Sequence, residues 1–325
     1  MTGILVTGGA GYIGSHMTKI LVGRGYKVTV LDNLSTGHRD AVSGARLIEA
    51  DLGDTNALEA LFRETAFSVV MHFAGSIEAG ESVINPGKYY RNNVCNTLRL
   101  LDAMRASSCN KLVFSSSAAV YGEPRTTPIP EDHPTQPVNP YGKTKWIAEQ
   151  MLADYDSAHG MRSVSLRYFN AAGADPDGTL GERHEPESHL IPLVLQTASG
   201  RRESISIYGD DYSTPDGTCV RDYIHVKDLC DAHLLAMEYL LQGGCSRDFN
   251  LGNGTGYSVR EIIDTARRVT GKTIAVERAA RRPGDPATLV ADASRAKKEL
   301  GWNPRYTDLA TIIDHAWAWE CKQHD

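Results

Sequence analysis

The chain has 325 residues, of which 41% are hydrophobic and 23% charged, and its formal net charge is −6. That length supports a large core in one big domain or two modest ones, and the lack of a basic surplus argues against generic nucleic-acid binding. The six dispersed cysteines (Cys95, Cys109, Cys219, Cys230, Cys245 and Cys321) include no Cys-x-x-Cys pair, so a reducing compartment is expected rather than a disulfide framework or a zinc site. No basic-then-apolar leader precedes the first glycine-rich loop, and no apolar run approaches a bilayer span. A cytoplasmic location is the expectation.

In chain order, short β-branched runs alternate with longer helical patterns. The pattern predicts strands over residues 4–7, 27–31, 46–49, 68–73, 111–114 and 163–166. Helices are predicted over residues 12–24, 56–64, about 88–104 and about 141–159, the last stopping at Gly160. Mostly apolar strands separated by helices indicate an α/β fold, a doubly wound parallel sheet of the Rossmann type covered on both faces. Beyond Asn170 the texture changes: residues 171–192 and 206–217 read as loop, followed by helices over 226–242 and 258–270, the second capped by its serine. The expected division is a dinucleotide-binding domain over residues 1–170, with elements returning from about 219–250, and a smaller C-terminal α/β substrate lobe over 171–325.

Gly8, Gly11 and Gly14 follow the first strand and open the first helix. Glycines there allow a tight turn and close approach of backbone to a pyrophosphate, while the helix N-terminus offers free N–H groups. Asp32 stands 18 residues beyond Gly14, where a carboxylate would bond the ribose hydroxyls and repel a 2′-phosphate, favouring NAD over NADP. Asp51, ending the third strand, is an adenine contact or a helix-preceding cap.

Tyr141 and Lys145 are four residues apart on a predicted helix and share a face. An ammonium beside a phenol favours the phenolate, and a tyrosine base with a hydroxyl partner such as Ser117 suits removal of a proton from a sugar alcohol. Each residue alone reads as ordinary: a helix-start aromatic, a solvated lysine, a loop serine. Their joint occurrence after a dinucleotide loop is what carries the chemistry.

The glycine loop, Tyr141-x-x-x-Lys145 and Ser117 resemble the extended short-chain dehydrogenase/reductase superfamily. The runs from Thr7 to His16, Leu31 to Leu34, Phe114 to Ser117, Val120 to Gly122, Arg167 to Asn170 and Arg221 to Val226 resemble the UDP-glucose 4-epimerase family within it. That resemblance implies a bound NAD that is regenerated each cycle, and oxidation at C4 of a UDP-sugar to a 4-ketose, which turns and is reduced on its other face. It implies Tyr141 as base, Lys145 as the group that lowers its pKa and holds the nicotinamide ribose, and Ser117 as a hydrogen-bond partner of the reacting oxygen. It assigns further cofactor contacts to Tyr12, Ile13, Asn33, Leu34, Ser35, Thr36, Gly37, Leu52, Phe73, Ala74, Gly75, Asn92 and Phe169. It assigns substrate contacts to Asn170, His189, Leu190, Ser206, Tyr208, Arg221, Arg282, Asp285 and Leu289, and it implies a homodimer through helices near 88–104 and 141–158.

Three positions depart from, or vary within, that pattern. Ile77 stands where many members carry a cofactor-binding lysine, and His189 replaces a common asparagine. Leu289 stands where a large tyrosine excludes an N-acetyl group, so UDP-N-acetylhexosamines are expected as additional substrates. Ala118-Ala119 occupy the positions where sugar-nucleotide dehydratases carry Asp-Glu, which removes the acid that water loss needs. The remaining alternatives are a 4-epimerase of UDP-xylose or UDP-glucuronate, a dehydrogenase exchanging free NAD, and a catalytically silent NAD-binding regulator. Glu182, His184, Glu185, Glu187 and His189 have no standard zinc spacing. They read as a polar loop over the active site, with no metal expected.

Overall fold

A computed structural model describes residues 3–282 and 285–323. Seven parallel strands form the main sheet: β1 (Gly3–Thr7), β2 (Lys27–Asp32), β3 (Arg46–Glu49), β4 (Val69–His72), β5 (Lys111–Ser115), β6 (Arg162–Tyr168) and a late strand, Arg247–Leu251. Between Tyr168 and that late strand lie β7 (Asn170–Ala172), β8 (Ile205–Tyr208) and β9 (Val220–His225), so the late strand is β10. The order across the sheet is β10-β6-β5-β4-β1-β2-β3. Connections run outward in opposite directions from β1 and β4, so the crevice at their C-terminal ends is the topological switch point where such sheets bind ligands.

Alternation along the strands explains why both faces are covered. Ile4 and Val6 point into one core with Val69, Met71 and Val113. Leu5 points into the other with Val70, Leu112 and Phe114. A strand buried on both sides favours apolar residues at most positions, which is why these segments read as nearly continuous runs. The first face is closed by α1 (Tyr12–Gly23) through Met17 and Leu21, and by a helix at Val226–Leu241 through Leu229, Met237 and Leu240. The second face is closed by α2 (Thr55–Glu64), by a helical run from Pro86 to Ala106, and by a helix at Pro140–His159 through Ala148 and Leu152. A short helix, α3 (Ala79–Ile84), precedes α4 (Pro86–Tyr89); a π-helical stretch at Tyr90–Cys95 links α4 to α5 (Asn96–Ala106), and α6 is Pro140–His159. Gly160 ends α6 in the left-handed conformation at φ 65°, which glycine adopts without a Cβ penalty.

The second lobe is built on α7 (Leu190–Ala198), α9 (Val259–Thr270) and α11 (Leu309–Lys322), with α8 (Val226–Leu241) lying back on the main sheet and α10 (Ser294–Glu299) between the last two. Its own core joins Ile191, Val194 and Leu195 to Ile262, Ile263, Ile312 and Ile313. Ser258 caps α9 with a full capping box, its Oγ accepting from the Glu261 N–H while the Glu261 side chain accepts from the Ser258 N–H. Two small sheets complete the lobe: β11 (Gly256–Ser258), β9 and β13 (Thr288–Leu289) with β7, and β12 (Val276–Ala279) beside β8.

The structure corrects the loop reading of residues 206–217 at its start, because Ile205–Tyr208 form β8. Ile205 and Ile207 are buried, and β8 pairs in parallel with β12; a partner so far along the chain leaves no local turn signal. Residues 171–192 likewise begin inside β7 and end inside α7.

Four histidines, His16, His72, His225 and His233, are buried at the packing interfaces. Burial lowers their pKa values to about 4, 3, 3 and 4. His233 also stacks against Phe73 at 4.8 Å between ring centroids. A histidine that stays neutral when folded but protonates below about 6.5 when unfolded contributes stability above that pH, and loses it as pH falls toward the folded pKa. For His233 the loss is about 2 kcal/mol between pH 6.5 and 5, at roughly 1.4 kcal/mol per unit. Urea midpoints at pH 7 and pH 5 should therefore differ less in His233→Leu than in the wild type. An equal difference in both proteins would show that His233 is not held neutral.

Candidate active site

The glycine loop joins β1 to α1 by contacts that no side chain would permit. Gly8 has φ 72°, and a Cβ there would lie 2.5 Å from the Ala74 nitrogen. A Cβ on Gly14 would lie 2.1 Å from the Gly8 carbonyl oxygen, whereas one on Gly11 would meet nothing closer than 3.5 Å. Gly8 and Gly14 thus close the turn against β4, and Gly11 faces open space at the helix N-terminus. Gly11 makes no side-chain cap for α1, and the first turn carries no acid, so the helix end remains available to a phosphate. Tyr12 and Ile13 follow in α1, and the Tyr12 hydroxyl donates to the Gly173 carbonyl at 2.6 Å, tying the loop to the second lobe.

Asp32 stands at the end of β2 beside this turn. Its Oδ2 accepts from the Ala10 N–H at 2.9 Å and its Oδ1 from the Leu34 N–H at 2.9 Å. Each oxygen keeps a second lone pair for a hydroxyl donor. Asn33 donates to Asp51 Oδ2 at 2.6 Å, and Gly53 donates its N–H to Asp51 Oδ1 at 2.7 Å, so Asp51 ties the ends of β2 and β3 together. Leu34 sits at φ 57°, bending the segment through Ser35 and Thr36 back to Gly37, where a Cβ would lie 3.0 Å from Asp32 Oδ1. Leu52 is buried under this loop. After β4, Phe73, Ala74 and Gly75 lead to Ser76, whose Oγ accepts from Asn92 at 3.0 Å. Ile77 is 39% exposed.

These features fit a dinucleotide: an open helix N-terminus for the pyrophosphate, a carboxylate for the ribose, and small residues where backbones must meet. Gly8, Gly11, Tyr12, Ile13, Gly14, Asp32 to Gly37, Asp51, Leu52, Phe73 to Gly75 and Asn92 would hold it.

The candidate catalytic side chains converge from the ends of β5 and α6. Asn139 caps α6 by accepting from the Gly142 N–H at 2.9 Å, and Pro140 occupies the first helical position, where its missing N–H costs nothing. Gly142 lets this helix end touch the loop after β5, because a Cβ there would lie 2.5 Å from the Ala119 carbonyl oxygen. Ser117 begins that loop, its Oγ accepting from the Ala119 N–H at 3.1 Å. Lys145 lies one turn below Tyr141. Its ammonium donates to the Ser115 carbonyl at 2.8 Å, lies 4.9 Å from the Phe114 ring centroid, and stands 3.6 Å from where a Cβ on Gly75 would be. Two of its three N–H donors remain for a ribose.

The electrostatics differ from the expectation for Tyr141. Burial raises its pKa above the ordinary value; contact with the Ser117 hydroxyl pulls the other way, and the charge of Glu78 adds to the rise. The Lys145 amine is turned to the Ser115 carbonyl, and burial lowers its own pKa to about 8. The protein alone holds a protonated phenol.

Beneath these residues lies a network absent from the sequence reading. Arg167 donates to Glu149 through Nε at 2.9 Å and Nη2 at 2.7 Å, to Asp248 at 2.9 Å and to the Tyr121 hydroxyl at 3.1 Å. Ser116 donates to Glu149 Oε1 at 2.6 Å, and Tyr121 donates to Asn250 Oδ1 at 2.7 Å. The Ser115 hydroxyl shares a 2.7 Å hydrogen bond with Tyr168. Glu149 is two helical turns past Tyr141 on the same face, a spacing that could have marked it.

The substrate candidates separate into groups. Asn170 donates to the Asp222 carbonyl at 3.0 Å. Arg221 pairs with Asp285 and donates to the Val220 carbonyl at 2.8 Å. The Arg282 guanidinium stacks on Tyr208 at 3.9 Å from its centroid, with Ser206 two residues earlier on β8. Leu289 and Phe169 pack together against Ala118, Val120 and Tyr121 of the catalytic loop. Leu190 packs into the second-lobe core instead. His189 precedes α7 and aims Nδ1 at Glu182 and Glu187, at 2.7 and 3.3 Å, rather than toward Tyr141.

Residues 5–314 match the family model described as GDP-mannose 4,6 dehydratase. The chain is 53% identical to the UDP-glucose 4-epimerase of Halalkalibacterium halodurans, over 99% of this chain and 96% of that one. It is 54% identical to that of Corynebacterium glutamicum, over 97% and 94%. The crystal structure of UDP-glucose 4-epimerase from Brucella ovis in complex with NAD superposes with a TM-score of 0.96 at 52% identity, covering 98% of each chain.

Gly14→Ala tests the loop geometry, since its methyl meets the Gly8 carbonyl. The wild type should release about one NAD per chain on denaturation, and the folded variant less than a tenth of that. Full retention by the variant would mean that the 2.1 Å approach is not required.

Proposed function

The chain belongs to the UDP-glucose 4-epimerase family, within the short-chain dehydrogenase/reductase group that the dehydratase model covers, and on that basis we propose that it interconverts UDP-glucose and UDP-galactose at C4. It is an NAD-dependent isomerase of the Rossmann type. The observation that carries the reading is the convergence of Tyr141, Lys145 and Ser117 on the switch-point crevice of the sheet.

Bound NAD supplies the acceptor and donor of the C4 hydride, and its oxidised ring brings positive charge to the cleft. Tyr141 takes the proton of the 4-hydroxyl and returns it to the other epimer. Ser117 holds the reacting oxygen and stabilises the phenolate by hydrogen bonding. Lys145, braced by the Ser115 carbonyl, orients the ribose and adds positive charge while it remains protonated. Arg221, Arg282 and Asn170 grip the nucleotide end, so remote binding energy retains the ketose while the sugar turns. The forked guanidinium groups suit a diphosphate. Dehydration lacks its acid, because positions 118 and 119 are both alanine.

Leu289 gives the sugar site its breadth. It packs against the catalytic loop and carries no ring or hydroxyl to fill the space beside it, so UDP-N-acetylhexosamines fit as secondary substrates. A panel of UDP-hexoses, UDP-pentoses, UDP-glucuronate and N-acetyl derivatives, without added NAD, tests both points. UDP-galactose and UDP-glucose should interconvert, with slower turnover of the N-acetyl pair. Tyr141→Phe should lower kcat by about 10²–10⁴, the usual range for a lost acid-base group. Leu289→Tyr should remove only the N-acetyl activity. No conversion of any sugar, even with NAD supplied, would sink the epimerase reading.

We also propose a homodimer and a cytoplasmic location. An apolar face rises from α3 through α5, where Val83, Ile84, Tyr90 and Leu98 are exposed, and α3 and α5 both pack on α6. Such a patch on the surface marks a protein contact. Light scattering should give twice the chain mass, and Ile84→Asp with Leu98→Asp should give the monomer; a monomeric wild type would refute the dimer. Six dispersed cysteines with no Cys-x-x-Cys pair suit a reducing compartment.

A further inference from the structure

Four side chains of the segment before α7, Glu182, His184, Glu187 and His189, bring one ligand atom each to within 4.8 Å of one another. Their spacing in the chain has no metal signature. The fold assembles them by pinning the segment from several sides. Lys19 binds Asp175 at 3.0 Å, Arg183 pairs with Asp40 at 2.7 Å, and Trp319 of α11 donates to the Glu182 carbonyl at 3.0 Å. These anchors hold the start of the segment, and Ser188 donates to Glu78 at 2.8 Å near its end.

The interior of the cluster is what distinguishes it from a polar loop. The Glu182 and Glu187 side chains are only 6% and 5% exposed. Glu182 Oε1, His184 Nδ1 and His189 Nδ1 are all buried without a hydrogen-bond partner. Yet His184 Nδ1 is 3.1 Å and His189 Nδ1 2.7 Å from that same Glu182 oxygen. The distances lie within hydrogen-bond range, yet no hydrogen bond satisfies these atoms, so each keeps its lone pair for another partner. Glu187 Oε1 accepts from the Ser188 and His189 N–H groups at 2.7 and 2.9 Å. That orients the carboxylate and leaves its Oε2 facing His184 Nδ1 at 3.9 Å.

We propose that these four residues bind a structural divalent metal ion, and that the ion is zinc. Zinc–nitrogen and zinc–oxygen bonds of about 2.0 Å place tetrahedral ligand atoms roughly 3.3 Å apart. With Glu187 Oε2 as its ligand atom, the separations of 2.7, 3.1 and 3.9 Å lie on either side of that edge. Two neutral imidazoles with two carboxylates neutralise a divalent cation, and this nitrogen and oxygen set suits zinc better than a hard cation that prefers all-oxygen shells. Four protein ligands complete the coordination and leave no open position, so the role is to fasten the segment to the start of α7. That segment also touches the cofactor loop through His38, whose Nε2 lies 3.2 Å from the Arg183 carbonyl.

Metal content reads this site independently of epimerase activity. Untagged protein from zinc-supplemented cells should carry about one zinc per chain by plasma mass spectrometry. Glu182→Gln and His184→Asn, each checked for fold by circular dichroism, should carry less than a tenth of that. Chelator-stripped wild type titrated with Co²⁺ should show the intense visible bands of a tetrahedral site, which decides the matter even if the variants do not fold. A wild type that carries no zinc and gives no tetrahedral cobalt spectrum overturns the proposal. So does zinc that persists in both folded variants. A different first-row ion held at one per chain and lost in the variants would uphold the site and overturn the choice of zinc.

Discussion

Arg167 is the point on which the active-site geometry rests. Its guanidinium joins α6 through Glu149, the catalytic loop through Tyr121, and the late strand β10 through Asp248. Arg167 and Glu149 are both nearly fully buried, so removing either would strand a charge in the interior at a cost of about 3–5 kcal/mol. The planar fork matters as well: two donors meet one carboxylate while the third nitrogen reaches the phenol, a geometry that a lysine ammonium does not offer. Ser116 and Ser115, flanking this network, carry its rigidity to Ser117 and to the Lys145 ammonium. Tyr141 and Ser117 hold their places because the layer beneath them does not move.

Charge in the site is balanced by burial more than by pairing. Burial pushes the Tyr141 phenol up and the Lys145 ammonium down to about 8. Both shifts favour the neutral forms. On the proposed mechanism, the phenolate forms where added positive charge and the Ser117 hydroxyl stabilise it, so the base ionises only in the loaded cleft.

Most of the first lobe was legible in the sequence. Mostly apolar strands, helices with period-3.6 faces, the glycine turn and the Tyr141–Lys145 spacing are local signals, and the structure has them within a residue or two. What escaped was non-local. β8 pairs with β12 across some seventy residues and looked like loop. The Arg167–Glu149 pair has no pattern until β6 and α6 are side by side. The π-helical stretch at Tyr90–Cys95 was hidden inside an ordinary helical run, and the Glu182–His189 cluster depends on how a loop is pinned. The Tyr141–Lys145 spacing is local, whereas the burial that raises the phenol's pKa in the protein alone comes from the packing around it.

The late strand β10 has a consequence for how the protein is made. It pairs in parallel with β6, residue 247 against residue 164, after the chain has left the first lobe and built β7, β8 and β9. A nascent chain that has completed β6 therefore carries an unpaired sheet edge. At a ribosomal rate of about 5–20 residues per second, some eighty residues of delay leave that edge open for roughly 4–16 seconds. Asp248 and Asn250 arrive on the same strand, so Arg167 and Tyr121 wait just as long for their last partners. The catalytic platform is finished only when the second lobe is well under way, and the vulnerable interval in this protein's life falls during its synthesis.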